Sequence, residues 1–493
     1  MVAQGSSVPQ FASSVHILEV GLAIQAETVG PVHRQDKYRD VQRLAGLQSG
    51  APHIECLPVF TMPLRLPVEI IERTVGFLDG DIPSLSACAL TCRALLPASR
   101  VYIWRDVALP MNYRGVNHPR SAAFLNILKD NPDIAPYVRS LSLNPRKVTA
   151  LHSAGPAWHR HNFRPTIARF PNLRALRLCN FNGRRKILSQ MLAMAYDVPG
   201  LEVLCIENLG IHNDDGQDDP DITERLFDPS TPAQWRLKEF SIVRGCIPPV
   251  ALPWLVSWLE LLTDYAGVSL ESLDLRPGSE RLPSTSLPSW PGVPSFAPSL
   301  RHLGVSLGDI RPTTGTTMTG REHMLGIFTA LPHYRSLCSL CLQYDLPEAF
   351  ELALSLPHIP PPRFPSPSFL ELLADVLSAT EEPPFPLEHL TLVFASPPGW
   401  LVEFKSGLER LAQALVGDVD RPHVHGAARR YPGFSRLHVR TSAMETVART
   451  GDNARIERYE KERAERDVEH REAVSLMLER FARAGVHVEV CLD

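Results

Sequence analysis

The stretch LESLDL, Leu270 to Leu275, decides the fold. Leucines stand at its first, fourth and sixth positions, with Glu271, Ser272 and Asp274 between them. Successive side chains of an extended backbone point to opposite faces, so Leu273 and Leu275 share one face while Ser272 and Asp274 share the other. The segment therefore predicts a short strand with one buried and one wet face. The same pattern returns as VRSLSL from Val138, LRALRL from Leu173, LEVLCI from Leu201, LKEFSI from Leu237, LRHLGV from Leu300, LCSLCL from Leu337, LEHLTL from Leu387 and FSRLHV from Phe434. Nine occurrences with one spacing of apolar residues describe a repeat.

Between most cores the period changes to that of a helix: SAAFLNILKD, RRKILSQMLAMAY, LPWLVSWLELL, REHMLGIFTAL, SFLELLADVLSA and SGLERLAQAL. In SFLELLADVLSA, Pro367 after Ser366 is expected to open the helix, with Phe369, Leu370, Leu373, Val376 and Leu377 on one apolar face. Strand, helix, strand units cross over right-handedly, which stacks the strands in parallel on one side and the helices on the other. The LxxLxL core is the strand signature of leucine-rich repeats. Its spacing here runs from 28 residues (201 minus 173) to 50 (387 minus 337), against ~20–29 in regular arrays. The expectation is an irregular α/β leucine-rich-repeat-like solenoid with a parallel strand row, bent into an arc.

In that register the outward row holds Arg177, Glu239, Ser241, Asp274, His302, His389, Thr391, Arg436 and His438. A single member of such a row is expected to be a solvated strand residue. The row as a whole is a mixed polar ladder suited to reading a protein target. Three long connections interrupt the array: the acidic HNDDGQDDPDIT, RPGSERLPSTSLPSWPGVPS and the proline-rich SLPHIPPPRFPSPS. The acidic one lacks the order of a calcium loop, and the proline-rich one reads as a stiff connector. Near the end, ARIERYEKERAERDVEHREA predicts a long exposed helix, and GVHVEVCLD a closing strand.

Ahead of the array the chain reads differently. Residues 1–61 keep neither helix nor strand period and are expected to be an extension. LPVEIIERTVGFLDG, Leu66 to Gly80, places Pro67 in a first turn and Ile71, Val75 and Leu78 at i, i+4, i+7, widened by Ile70 and Phe77. Asp79-Gly80 stops that helix. A second helix starts with Asp81 as cap and Pro83 in its first turn, and sets Leu85, Cys88, Ala89 and Cys92 on one side. A third segment, PASRVYIWRDVAL, carries Tyr102, Ile103 and Trp104 and is expected to close by Leu109. A unit of about 45 residues is near the ~40 below which a chain does not stand alone without disulfides, metal or a partner.

LPVEIIERTVGFL, SLSACALTCRAL and the Trp of YIWRDV together resemble the F-box, here as found in F-box proteins of the fungal type. The resemblance covers residues 62–109. It implies an all-α three-helix module that docks on the Skp-type adaptor of cullin-RING ubiquitin ligases and, through it, on the cullin. It also implies that Leu66, Pro67, Ile70, Ile71, Leu78, Cys92, Arg93 and Leu95 lie at or beside the adaptor surface. Leu95 stands where the family often carries Trp. The expected whole is α+β: extension 1–61, F-box-like module 62–109, and solenoid 110–493 ending in the charged helix and closing strand.

Composition narrows the function classes. Lys+Arg 50 against Asp+Glu 54 gives a formal charge of -4, without the excess of basic charge expected of a nucleic-acid binder. MVAQGSSVPQ lacks a basic n-region leading into an apolar run, and VALPWLVSWLELL is broken by Ser257 and Glu260, so neither secretion signal nor membrane span is expected. Nine cysteines scattered without framework spacing suit a reducing, intracellular site, cytoplasmic or nuclear. No phosphate-cradling, nucleophile-elbow or zincin motif occurs, and no enzyme activity or cofactor is expected. Cys338 and Cys341 have half a zinc spacing, but alternation sends them to opposite faces. The pairs His159, His161 and His423, His425 lack companions, and no metal is expected. The function expected is a substrate-recruiting ligase subunit. The alternative is a non-degradative interaction scaffold whose F-box-like unit, with Leu95, is only a cap.

Overall fold

All nine recurring cores are strands in the computed structural model, which describes residues 67–91, 93–111, 119–145, 164–184, 191–192, 195, 198, 200–212, 236–243, 251–276, 293–307, 326–345, 368–379, 383–395, 404–417, 431–441, 474–476 and 478–492. Each strand starts at the third position of its pattern, as at Ser272 in LESLDL. The apolar residues at positions one, four and six are buried in every core, as Leu270, Leu273 and Leu275 are. The chain divides into two compact units, Met1–Asn180 with Asp197–Gly200, and Phe181–Tyr196 with Leu201–Asp493. Among the described residues, eleven strands of open parallel sheet follow chain order, three in the first unit and eight in the second.

The first unit holds α1 (Val68–Gly76), α2 (Ile82–Thr91), α3 (Leu96–Ile103), β1 (Asp106–Met111), α4 (Pro119–Asp130), β2 (Ser140–Pro145) and β3 (Ala175–Cys179). Pro67 is the N-cap of α1, and its carbonyl accepts from the amides of Ile70 (3.0 Å) and Ile71 (3.3 Å). Gly80, at φ +84°, supplies the left-handed backbone that ends the turn after α1. The Asp81 carboxylate then accepts from the Ser84 amide (3.3 Å) and hydroxyl (2.7 Å), starting α2. Ile71 and Val75 of α1, Leu85 and Ala89 of α2 and Ile103 of α3 are buried. Trp104 stacks on Phe124 of α4 at 5.9 Å, and Phe124 on Phe170 at 6.3 Å. Arg105 binds Asp79 after α1 (2.8 Å) and Asp106 of β1 (2.9 Å), and the bond to Asp79 raises its pKa above the ordinary arginine range. The three helices are thus fastened to the strands that follow.

One boundary differs from expectation. DVALPM, taken from sequence as the close of the third helical segment at Leu109, is β1, with Val107 opposite Leu141 and Leu109 opposite Leu143 of β2. Buried Val107 and Leu109 flank half-exposed Ala108, so the strand alternation is real but only three residues long. Pro110 and the missing leading leucine hide it.

The second unit holds β4 (Val203–Glu207), β5 (Glu239–Val243), α5 (Ala251–Ala266), β6 (Ser272–Arg276), β7 (His302–Ser306), β8 (Ser339–Asp345), α6 (Phe369–Ser378), β9 (His389–Ala395), α7 (Lys405–Val416), β10 (Arg436–Thr441) and β11 (His487–Leu492). Two three-residue strands, Asn182–Arg184 and Gly210–His212, pair apart from the main sheet. The register aligns the cores position for position: Phe240, Leu273, Leu303, Leu340, Leu390 and Leu437 form one inward row. The α6 cap is Ser368, not the expected Ser366-Pro367 start. The Ser368 hydroxyl accepts from the Glu371 amide (3.4 Å) while the Ser368 amide donates to Oε2 of Glu371 (2.7 Å), a reciprocal capping box. Glu371 three residues on selects the second serine. Helices α6 and α7 approach closely at Gly407, where a Cβ would lie 2.8 Å from Cβ of Leu370. Tyr344, Phe369, Phe394 and Phe404 join β8, β9 and both helices in one aromatic cluster, Tyr344 stacking on Phe369 at 4.9 Å.

The closing strand predicted from GVHVEVCLD is β11. The extension 1–61, most of the helix expected at RRKILSQMLAMAY, the charged stretch before residue 474 and the greater part of the three long connections lie outside the described residues. Among the described residues no helix is long and apolar enough to cross a membrane.

The inward row should carry the stability. Leu273→Ala and Leu340→Ala are each expected to cost about 2–5 kcal/mol as core truncations. Ser272→Ala and Ser339→Ala, on the outward face, should stay within about 0.5 kcal/mol. Urea unfolding of the four variants measures this, and similar losses in both sets would contradict the register.

Candidate functional site

Two surfaces gather the residues singled out from sequence. The first is the outward face of the strands. Glu239, Ser272, His302, Ser339, His389 and Arg436 lie side by side across β5 to β10. A second row two residues on runs Ser241, Asp274, Gly304, Cys341, Thr391 and His438. Arg177, Glu239, His302 and Arg436 are exposed, and Ser241, Asp274, His389, Thr391 and His438 are half-buried. The structure therefore brings the members from Glu239 to His438 onto one face of the second unit. Arg177 belongs to the first unit, opposite Ser142.

Asp274 is already paired on this face. Arg276, two residues on and so on the same face, donates from Nε to Oδ1 (2.6 Å) and from Nη2 to Oδ2 (2.5 Å). This bidentate bond raises the pKa of Arg276 above its ordinary range. Gly304 makes the pair possible, because a Cβ there would stand 2.5 Å from Oδ1 of Asp274. Beside them burial pushes the Cys341 thiol up to about 11, against the opposing pull of Arg276. Asp274, expected as a target contact, takes part on that face in a network with Arg276 and Cys341. Sequence reasoning missed Arg276 and Gly304. Their signals were the i, i+2 opposite-charge pair and a glycine inside a strand core.

The histidines differ among themselves. His302 is exposed. His389 has Nε2 4.0 Å from Glu388 and a buried Nδ1 without a hydrogen-bond partner. His438 has a buried Nε2 without a partner, and Glu489 of β11 is its register neighbour. Among the described residues, His438, Glu489 and Cys491 are the group whose donor atoms could hold a metal. Cys338 is buried and its thiol donates to the Arg301 carbonyl (3.4 Å), while Cys341 is half-buried, on the opposite face as alternation requires. His159, His161, His423 and His425 lie outside the described residues.

The second surface is the helical unit. Pro67, Ile70 and Arg93 are exposed, Leu78 and Leu95 half-buried, and Leu66 and Cys92 lie outside the described residues. Ile71 corrects the expectation. It is 8% exposed and packs inward with Val75 one turn on, so it supports the module and offers nothing to a partner. Of the apolar stripe at i, i+4, i+7, Ile71 and Val75 form the inward face of α1. A second apolar set looks outward: Val68 is 60% exposed, Ile70 47%, Phe77 81% and, from α2, Leu90 48%. Ile70 and Phe77 are two turns apart on one side of α1. Of the six large apolar side chains that stand exposed among the described residues, these four fall within 23 positions (68 to 90), a concentration that scattered surface hydrophobics do not produce. Phe77 was read from sequence as widening the inward stripe, and Val68 and Leu90 were not singled out.

No protein-family model matches the sequence, and no curated protein matches it either.

The Asp274 network gives a direct test. Gly304→Ala should cost about 1–3 kcal/mol by crowding the carboxylate. In an Asp274→Ala background most of that cost should vanish, giving a coupling energy of about 0.5–3 kcal/mol in a double-mutant cycle. Additive costs would show that the carboxylate does not lie over Gly304.

Proposed function

We propose that the chain is a non-catalytic recruiting subunit of a Skp-cullin-F-box type ubiquitin ligase. Residues 62–109 form an F-box that binds a Skp-type adaptor and, through it, the cullin. The strand array that follows is an irregular leucine-rich-repeat-like arc whose outward rows hold a protein target while other subunits transfer ubiquitin. The work is proximity, carried out inside the cell.

One observation carries this reading: Val68, Ile70, Phe77 and Leu90 stand exposed on a helical unit in which Ile71, Val75, Leu85 and Ala89 are already buried. Covering such a side chain contributes about 1.5–3 kcal/mol. A partner that sheathes several of them gains a small set of buried anchors, which is how most interfaces concentrate their energy. The adaptor-facing set is then Pro67, Ile70, Leu78, Arg93 and Leu95 with Val68, Phe77 and Leu90, and by resemblance Leu66 and Cys92. Ile71 is left out. On the target side Glu239, His302, His389, Arg436 and His438 offer charge and hydrogen bonds on one face.

A second reading has its own support. The Trp104–Phe124–Phe170 column fixes the helices to the strands they precede, as a terminal cap would be fixed. Together with Leu95, it favours a plain interaction scaffold. Co-expression with a Skp-type adaptor separates the two. The ligase reading expects the wild-type chain to co-purify with the adaptor, and Ile70→Asp with Phe77→Asp to abolish this while the melting temperature stays unchanged. Co-purification that survives the double change, or none with the wild type, would leave the scaffold.

A further inference from the structure

We propose that His438, Glu489 and Cys491 form a binding site for a divalent late transition metal of the zinc type. His438 lies in β10, and Glu489 and Cys491 stand two residues apart in β11, so both project from one face of that strand. The strands are parallel, with His438 opposite Glu489. One imidazole nitrogen, one carboxylate oxygen and one thiol sulfur come within 4.8 Å of one another, and Sγ of Cys491 is already 3.9 Å from Oε1 of Glu489.

A tetrahedral zinc ion, with bonds of about 2.0–2.3 Å, spaces its donors about 3.3–3.8 Å apart. The thiol and carboxylate are thus already near that spacing, and no donor pair exceeds it by more than about 1 Å, a gap within the swing of the exposed Glu489 side chain. Nε2 of His438 supplies the second, independent sign. It is buried without a hydrogen-bond partner, which leaves an imidazole nitrogen available to a ligand.

The donor set selects the class of ion. Calcium and magnesium take oxygen donors, whereas an imidazole and a thiolate beside a carboxylate suit zinc and its neighbours. Binding converts the Cys491 thiol to thiolate, and the proton goes to solvent. Three protein donors leave one tetrahedral position for water or for a donor atom of a bound molecule. Two adjacent strands hold the ligands, so their backbones are already in register and only side-chain movement is needed to close on an ion. The site belongs to the second unit, and it holds whether or not the helices of the first bind an adaptor.

The test uses the full chain, stripped of metal by chelation and titrated with Co²⁺ and then Zn²⁺. One equivalent of Co²⁺ should bind with thiolate-to-cobalt charge-transfer absorption, and Zn²⁺ should displace it. Cys491→Ser should remove that absorption, His438→Ala should weaken binding by on the order of 100-fold, and Cys341→Ser should leave both unchanged. Glu489→Gln alters an exposed side chain and so keeps the fold. It should retain the absorption with affinity lowered on the order of 10-fold. Absence of the absorption in the wild type, or equal affinity in Glu489→Gln, would overturn the site, as would an unchanged spectrum in Cys491→Ser.

Discussion

The structure depends on one constraint: in each strand the residues at positions four and six of the core must go inward, because the chain alternates and only one face is covered. In the second unit, register partners place those side chains in continuous rows from Phe240 to Leu437. A slip of one residue in any strand would put its leucines in water and its charges in the core. The helices follow from the same demand. Phe369, Leu370 and Leu373 of α6, and Leu408, Leu411 and Leu415 of α7, are the buried sides of amphipathic segments with polar residues opposite.

What the inward rows fix, the outward rows inherit. Glu239, His302, His389 and Arg436 are aligned because the leucines beside them are, at the strand separation of ~4.8 Å. Chemistry on that face is therefore cross-strand chemistry. Asp274 reaches over Gly304 toward β7 while bound to Arg276, and His438 sits beside the carboxylate and thiol of β11. The helical unit obeys a related rule with a different outcome. Three short helices cannot bury all their apolar surface: Ile71, Val75 and Ile103 go inward, and Ile70 and Phe77 are left outside.

Much of this was legible from residue order. The nine cores were readable because leucine spacing and strand period agree, and the closing strand because Val486, Val488 and Val490 alternate. β1 was not, since DVALPM has one alternation and a proline, and its identity as a strand depends on pairing with Leu141 and Leu143. The α6 cap was placed two residues early because PSPS, Pro365 to Ser368, offers two serines before the apolar run. The outward row was correct in direction but silent on partnership: nothing in LDLR alone says that Asp274 and Arg276 bind each other instead of a target. Likewise, apolar residues on two sides of α1 predict burial for both, and only the packing under α3 assigns Ile71 to the core and Ile70 to solvent.

The central claim, parallel strands in chain order with leucines inward, is tested most directly by cross-linking across one register. Cysteines placed at Glu239 and Ser272, opposed and outward on β5 and β6, should oxidise to a disulfide that peptide mapping identifies. The shifted pair Glu239 and Leu273, on opposite faces, should not. A bond in the shifted pair, or none in the aligned one, would contradict the strand register and the two faces read from it.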